Sequence, residues 1–382
     1  MDQSKFNEKN TANEVLAIDL FCGCGGVTEG LKQAGFTVIA AVDNDPICCQ
    51  TYRLNHPEVS LLEKDICKTS ARSLKSILGK RKLDLLVVCA PCQPFSSLNK
   101  SKKPDERVYL ILQSVRFTKA LKPKYVLFEN VPGITKNSTV INQLKSEFSK
   151  LGYNLSEPKQ IDAADYGVPQ RRVRCVIVAS RKKMVDLPSP TTPTGHRITV
   201  RDAIGDLPAA GFINPKDSLH VCRKHSKITI DRLRHISHDG GSRDELPAHL
   251  RLQCHKKLDD TGEATYYCDV YGRMRWDTVA PTLTTGCTDV TKGRYAHPVF
   301  DRAITLREAA LLQTFPIDYR FYGNSGQIAR QIGNAVPVNL AKNLALIFLS
   351  NKGDKHRLTR AHREKQLKMS CQALHNAPPN RT

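Results

Sequence analysis

The feature that most constrains this chain is an alternation. Runs at 15–20, 37–42, 59–62, 83–89, 125–128, 153–161 and 173–179 are apolar and β-rich. Between them lie helical patterns at 27–34, 46–54, 71–78, 107–121 and 140–151. Strands separated by helices need crossover connections, so the pattern implies an α/β fold with a doubly wound, mostly parallel sheet. In open sheets of this kind ligands bind outside the carboxyl ends of the strands. Residues just past those ends are therefore the first place to look for chemistry.

The alternation stops near 182–196, a stretch that carries Pro188, Pro190 and Pro193. Residues 188–302 are rich in His, Arg, Asp and Gly, lack clean periodicity, and read as a smaller irregular, partly β domain. Helical patterning returns after 302. An apolar helix at 338–349 is expected to pack back on the first domain, which spans 13–187. The tail at 352–382 is basic and polar and is expected to be disordered. No internal repeat is present.

Lys and Arg number 58 against 37 Asp and Glu, a net charge of +21. Such a field favours polyanionic partners, nucleic acid above all. The N-terminus is polar (Met1-Asp2-Gln3-Ser4-Lys5), with no apolar signal region. No run of eighteen apolar residues suggests a membrane span. The 13 cysteines are then read as reduced thiols in a cytoplasmic protein. Metal spacing is poor. Cys22 and Cys24 share a glycine-rich turn, and Cys222-x-x-His225 has no second half at finger spacing. No metal is expected.

Four strand ends stand out. Leu16 to Gly26 runs from a strand into a turn with Gly23, Gly25 and Gly26, where backbone can approach a ligand. Asp43-Asn44-Asp45 and Asp65-Ile66 place acids at the next two ends. An acid there commonly takes a ribose hydroxyl pair, though such acids are also ordinary surface residues. The fourth end is Pro91-Cys92-Gln93-Pro94-Phe95-Ser96. Prolines on both sides hold a thiol in one place, which suits a nucleophile and equally a small buried cysteine.

Together with Glu129-Asn130-Val131, Gln170-Arg171-Arg172-Val173-Arg174, the stretch from Arg307-Glu308 to Gln313-Thr314-Phe315-Pro316, and Gln331 to Pro337, these segments resemble the DNA (cytosine-5) methyltransferase family. The blocks follow the family's order and cover nearly the whole chain apart from the first dozen residues and the tail. The resemblance implies a Rossmann-like class I S-adenosylmethionine-dependent methyltransferase fold. It implies a catalytic and cofactor-binding domain at 13–187, a target-recognition domain at 188–302, and a segment at 303–351 that packs back. It also implies S-adenosyl-L-methionine as methyl donor. Phe21, Gly23, Gly25, Asp43, Asn44, Asp65, Ile66 and Pro91 would line the cofactor, with Asn334 and Val336 near its amino-acid end. Family members often carry a bulky residue after the ribose acid. Here that residue is Asn44, so Ile66 is expected to supply the stacking surface. Cys92 would be the nucleophile and Glu129 the group at ring nitrogen 3. Arg172 and Arg174 would divide between the base carbonyl and the support of Glu129 or a loop, with Gln170 and Asn130 as supporting groups.

The chemistry is consistent with those roles. Carbon 5 of cytosine is a poor nucleophile, and a thiolate added at carbon 6 makes it an enamine carbon. The target lies inside a stacked duplex, so the base must be flipped out. Residues 97–107 read as a mobile loop touching DNA through Ser97 and Lys100. Arg273 and Arg275, beside the single Trp276, are candidates to read guanine edges or hold phosphates. Arg232, Arg234, His235, His238, Arg243 and Arg251 form another candidate DNA-facing surface. The expected partner is double-stranded DNA, acted on by a monomer of prokaryotic type, either paired with a restriction endonuclease or solitary. An RNA-directed relative and a silent DNA-binding relative are the alternatives. The intact Cys92, Glu129, Arg172 and Arg174 argue against the silent binder.

Overall fold

The computed structural model describes residues 14–91, 106–182, 184–252 and 269–349. Strands β1 (Leu16–Leu20), β2 (Thr37–Asp43), β3 (Ser60–Glu63), β4 (Leu85–Val88), β5 (Tyr125–Asn130), β6 (Asn154–Leu155), β7 (Lys159–Asp162) and β8 (Val173–Ser180) form one sheet. Its order is β3-β2-β1-β4-β5-β8-β6, with β7 also paired to β8. The pairs among β1 to β5 are parallel, and β8 is antiparallel to β5, β6 and β7. The winding reverses between β1 and β4, which puts a crevice at their carboxyl ends.

The strands are apolar because both faces are covered. Ile18, Leu86, Val126 and Phe128 point into one core, and Ala17, Leu85, Val87 and Leu127 into the other. Helices α1 (Gly26–Ala34), α2 (Pro46–Asn55), α3 (Ala71–Leu78), α4 (Gln113–Leu121) and α5 (Ser138–Lys150) make the crossovers. Their ends carry local signals. Asp45 caps α2 by accepting from the amides of Ile47 and Cys48, with Pro46 in the first turn. Gly35, at φ 100°, closes α1 by donating to Leu31 and Lys32. The run read as one strand at 153–161 splits into β6 and β7. Pro158, which cannot donate to a ladder, lies in the break.

Residues 184–252 and 269–302 hold two short helices, α6 (Val200–Ile204) and α7 (Lys227–Arg234), among turns. Among the described residues of this stretch the expected β content reduces to isolated bridges, such as Gly211 with Val221 and Arg273 with Ala296. The chain then forms α8 (Leu306–Leu312), α9 (Ser325–Asn334) and α10 (Val338–Leu349). Val200, Ile204, Met274, Ala280 and Leu283 share a core with Ala309, Phe315 and Ile332. The two ends of the 188–302 stretch thus pack on the segment that follows it. A smaller core of its own contains Leu233, Ile236, Tyr271, Val290 and Ala296.

Residues Ser325–Leu349 are long and apolar enough to cross a bilayer, but most of the stretch is buried inside the protein. α10 packs on α1, where a Cβ on Gly30 would meet that of Ala341 at 2.6 Å. The apolar character of α10 is that of a core helix.

Candidate active site

A cleft of about 1010 Å³ opens at the carboxyl ends of β1, β2, β4 and β5. One end is built from the glycine turn. Phe21 takes φ 62° as the chain leaves β1, and the amides of Phe21 and Cys22 donate to Val42. Gly23 donates to Asp43 Oδ2 at 2.8 Å, and Asp45 N to Asp43 Oδ1 at 2.9 Å. Burial pushes the Asp43 carboxyl up, and these amides oppose it. An added Cβ at Gly23 would meet nothing within 4 Å, so open cleft lies over this residue. Asp65 accepts from the amide of Cys67 at 2.7 Å and Ile66 is buried beside it. Phe21, Gly23, Asp43, Asn44, Asp65, Ile66, Pro91, Asn334 and Val336 all line the cleft, with Asn44 exposed at its rim.

Gly25 does not line it. The space of its absent side chain is filled by His56 and Tyr319, each 2.7 Å from where a Cβ would stand. Gly25 is a glycine because of that packing and its φ of 97°, rather than to approach a ligand. Tyr319 donates to the carbonyl of Cys24 at 2.6 Å and meets His56 Nε2 at 3.1 Å. Burial holds His56 down, at about 4, and the Lys32 cation adds to this.

The other end of the cleft is made by β4, β5 and β8. Asn130 donates to the carbonyl of Ala90 at 3.1 Å, tying the end of β5 to the backbone that leads into Pro91. Cys92 follows Pro91 and lies outside the described residues, as do Ser97 and Lys100. Glu129 is buried, and burial raises its carboxyl although the Arg174 and Arg172 cations oppose the shift. Arg174 Nε lies 3.1 Å from Glu129 Oε1, close enough for an ion pair but too poorly aligned for a hydrogen bond. Arg174 Nη1 donates to the carbonyl of Val173 at 2.7 Å.

Arg172 also faces the cleft, but its guanidinium is bound to protein carbonyls. Nη1 donates to Leu283 at 2.9 Å, and Nη2 to Gly333 at 2.8 Å and Ala335 at 3.1 Å. Gln170 supports it, accepting from the amide of Leu283 at 2.9 Å and donating to Gln313 at 3.1 Å. Of the two expected duties, Arg174 therefore stands at Glu129 and Arg172 ties loops together.

The arginines of the 188–302 stretch divide in the same way. Arg273 is fully buried, which corrects the expectation that it faces DNA. Its guanidinium donates to the carbonyls of Ile236, Leu233, His297 and Phe300 and pairs with Asp301. A buried cation must be paired or hydrogen-bonded, and this one uses its donors to close the irregular segment. Arg243 is likewise buried, while Arg232 and Arg251 donate to the carbonyls of Leu250 and Leu246. Arg275, Arg234, His235 and His238 are exposed. Trp276 is half-buried and packs edge-on to His297 at 5.3 Å. Cys222 and His225 bond to backbone at Ala210 and Ala303.

The family model for C-5 cytosine-specific DNA methylases matches residues 15–347. The chain belongs to that family. It is a DNA cytosine-5 methyltransferase. It is 41% identical over 338 residues to the type II methylase M.HgiDII of Herpetosiphon aurantiacus, covering 86% of this chain and 93% of that protein. It is 35% identical over 357 residues to M.XorII of Xanthomonas oryzae, covering 86% and 82%. Among solved structures it is similar to an Escherichia coli prophage protein described as a DNA modification methyltransferase. There the TM-score is 0.68 and the identity 25%, over 90% of this chain and 100% of that one. It shares a fold with Dnmt2 of S. pombe (TM-score 0.61, 18% identity, 88% and 99% covered).

In this methyltransferase the cleft also has walls that its motifs did not announce. Tyr109 and Gln113 line it, as does Arg330 from α9. Arg116 Nη1 donates to the carbonyl of Thr69 at 2.6 Å and Nη2 to that of Ile66, so α4 fixes the Asp65–Ile66 turn. A single basic residue in a helical pattern carries no signal of such a role. Only the pairing of β4 with β5, and the α3–α4 contact it brings, put Arg116 there.

Proposed function

We propose that this methyltransferase transfers a methyl group from S-adenosyl-L-methionine to carbon 5 of a cytosine flipped out of a specific duplex sequence, through a transient bond between Cys92 and carbon 6. The supporting observation is one cleft that holds two kinds of group at its two ends. At one end are carboxylates at Asp43 and Asp65, apolar surface at Phe21, Ile66 and Val336, and open space over Gly23. This set fits an adenosine with a cationic tail. S-adenosylmethionine bound there supplies an electrophilic methyl group. Asp43 and Asp65 would hold the ribose and base, with Asn334 and Val336 beside the amino-acid portion.

At the other end stands Glu129, whose carboxyl burial raises, placed to share a proton with ring nitrogen 3. Arg174 holds Glu129 in place and offers a cation to the base carbonyl. The Cys92 thiolate adds to carbon 6 and pushes electron density to carbon 5. After carbon 5 is methylated, loss of its proton expels the thiolate and restores the aromatic ring. Ser97, Lys100 and Arg275 are the proposed DNA contacts. The likeness to type II methylases supports a modification enzyme paired with a restriction endonuclease, which we read as a cytoplasmic monomer.

Bisulfite sequencing of DNA from cells expressing the protein tests this reading. Protected cytosines within one short sequence are expected, and none with Cys92→Ser. Unprotected DNA from cells with soluble wild-type protein would overturn it.

A further inference from the structure

We infer that the pole of the sheet opposite the cleft is a second docking site for a phosphodiester backbone, occupied by a second segment of duplex DNA. Lys80, Lys82, Lys119, Lys122, Arg181 and Lys182 are all exposed there. The topology brings them together. Lys80 and Lys82 follow α3 and precede β4, and Lys119 and Lys122 end α4 before β5. Arg181 and Lys182 follow β8, whose antiparallel course returns it to the start of β5. Backbone bonds fix the arrangement, from Lys124 N to Leu83 O at 3.0 Å and from Arg181 N to Lys124 O at 3.4 Å.

The charge at this pole is uncompensated. Among the described residues none of the six has a carboxylate partner. Elsewhere Lys32, Arg53, Lys145 and Arg201 each pair with an acid. Asp84, the acid nearest in sequence, accepts from the amide of Leu16 at 3.1 Å. Cations at helix carboxyl ends stabilise helices, and Arg81 serves α3 in this way by donating to Ile77 and Leu78. That account reaches Lys119, in the last turn of α4, but not Lys82, Arg181 or Lys182, which flank strands.

The ligand follows from the chemistry of the patch. Clustered ammonium and guanidinium groups without carboxylate partners release counterions when they meet phosphates, and Arg181, which also lies over the Tyr153 ring, keeps its charge for this. A lipid surface would call for apolar side chains beside the cations, and the large exposed hydrophobics, such as Phe212, Ile213 and Ile317, lie elsewhere in the chain. DNA is this enzyme's own substrate. The six residues of β5, at about 3.3 Å each, separate this pole from the cleft by about 20 Å. One straight duplex cannot lie on both ends of the sheet, so the pole would hold a neighbouring segment while the cleft works on another. The chain also leaves α10 beside this pole, where Phe348 stacks on Tyr125 at 4.9 Å. The 33 residues after Leu349 hold eight Lys or Arg and two acids. They lie outside the described residues and are not part of the proposed site.

A bridging assay on the full-length protein tests the inference. A short biotinylated duplex on beads captures a second, labelled duplex only if one protein particle holds both. Capture is expected for the wild-type protein, weakening about a hundred-fold between about 50 and 200 mM salt if roughly four phosphates are neutralised. The variant K80E/K82E/K122E/K182E is expected to lose capture while binding a single duplex and methylating plasmid DNA within about two-fold of the wild type. Capture that persists in the variant places bridging elsewhere, in a dimer or the tail, and overturns the proposal. So does a parallel loss of capture and methylation, which would put these lysines on the path of the substrate duplex.

Discussion

The two sides of the cleft are held together by different means. The cofactor side is built from strand ends and turns, with Gly23 and Asp45 donating backbone amides to Asp43 and Asp65 capping its own turn. The target side is built from buried cations. Arg273 gathers carbonyls from Leu233 to Phe300, and Arg172 binds Leu283, Gly333 and Ala335. In the first, backbone groups satisfy side chains. In the second, side chains satisfy backbone that has no ladder to join. A region without strands can be ordered if enough long donors are buried in it, and its stability then rests on a few residues.

The sharpest separation of the two sides should come from chemistry. Cys92→Ser is expected to lower methyl transfer at least about a thousand-fold while leaving both sides folded, and Glu129→Gln about a hundred-fold. Single-turnover rates with unchanged DNA affinity would check both. Glu129 acts as a proton donor in this reading, and its carboxyl is raised. kcat/KM should therefore fall as pH rises through its pKa, and this dependence should vanish in Glu129→Gln.

Next in size is Arg273→Met, which leaves Asp301 and several carbonyls without their donor. A cost of about 3–5 kcal/mol is expected. It should fall on the target side alone, so that hydrogen exchange quickens at 233–236 and 297–301 while S-adenosylmethionine binding by calorimetry is retained. Loss of cofactor binding in that variant would break the comparison. Asp43→Asn is the converse. It should weaken S-adenosylmethionine about ten-fold or more, with little change in DNA affinity.

Acid offers a subtler contrast. His56, on the cofactor side, and His297, on the target side, are both held down by burial, each at about 4. Each stays neutral in the folded chain while the unfolded chain takes up a proton. Each therefore withdraws up to about 3 kcal/mol of stability as pH falls from about 6.5 to about 4. On the cofactor side Asp19 opposes this. Burial raises it to about 7, so the folded chain keeps a proton that the unfolded chain loses, and stability returns as pH falls over much the same range. On the target side Glu308 is held low, mainly by Arg302, and its stabilisation too fades when pH falls far enough to protonate it. Protection factors near 297–308 should fall before those of β1 and β2. Simultaneous loss would remove the asymmetry. The smallest effect is expected for Arg275→Ala, a few-fold weaker DNA binding with a salt slope reduced by about one.

The same difference decided how much could be read from residue order. The strands and crossovers were legible because burial on two faces writes long apolar runs. Asp43 and Asp65 were legible as cleft residues because they stand at the ends of those runs. Glu129 and Arg174 meet because β5 pairs with β8, a register that no local pattern states. Arg273 misled because a guanidinium has the same letter whether it faces a phosphate or a ring of carbonyls. Gly25 misled because a glycine that makes room for His56 looks like one that makes room for a ligand.

Gly333 packs so tightly on Thr284 that a Cβ would stand 2.4 Å from its carbonyl, and Arg172 bonds both neighbourhoods at once. Residues 188–302 are therefore not a cassette that can be exchanged on its own. A chimera cut at those limits would set a foreign Leu283 and Thr284 against the host's Arg172 and Gly333. The interior is no easier to lift out, because Leu233 and Ile236 pack on Val290 and Ala296, and Arg273 bonds His297 and Phe300, so the stretch and its flanks can only change together.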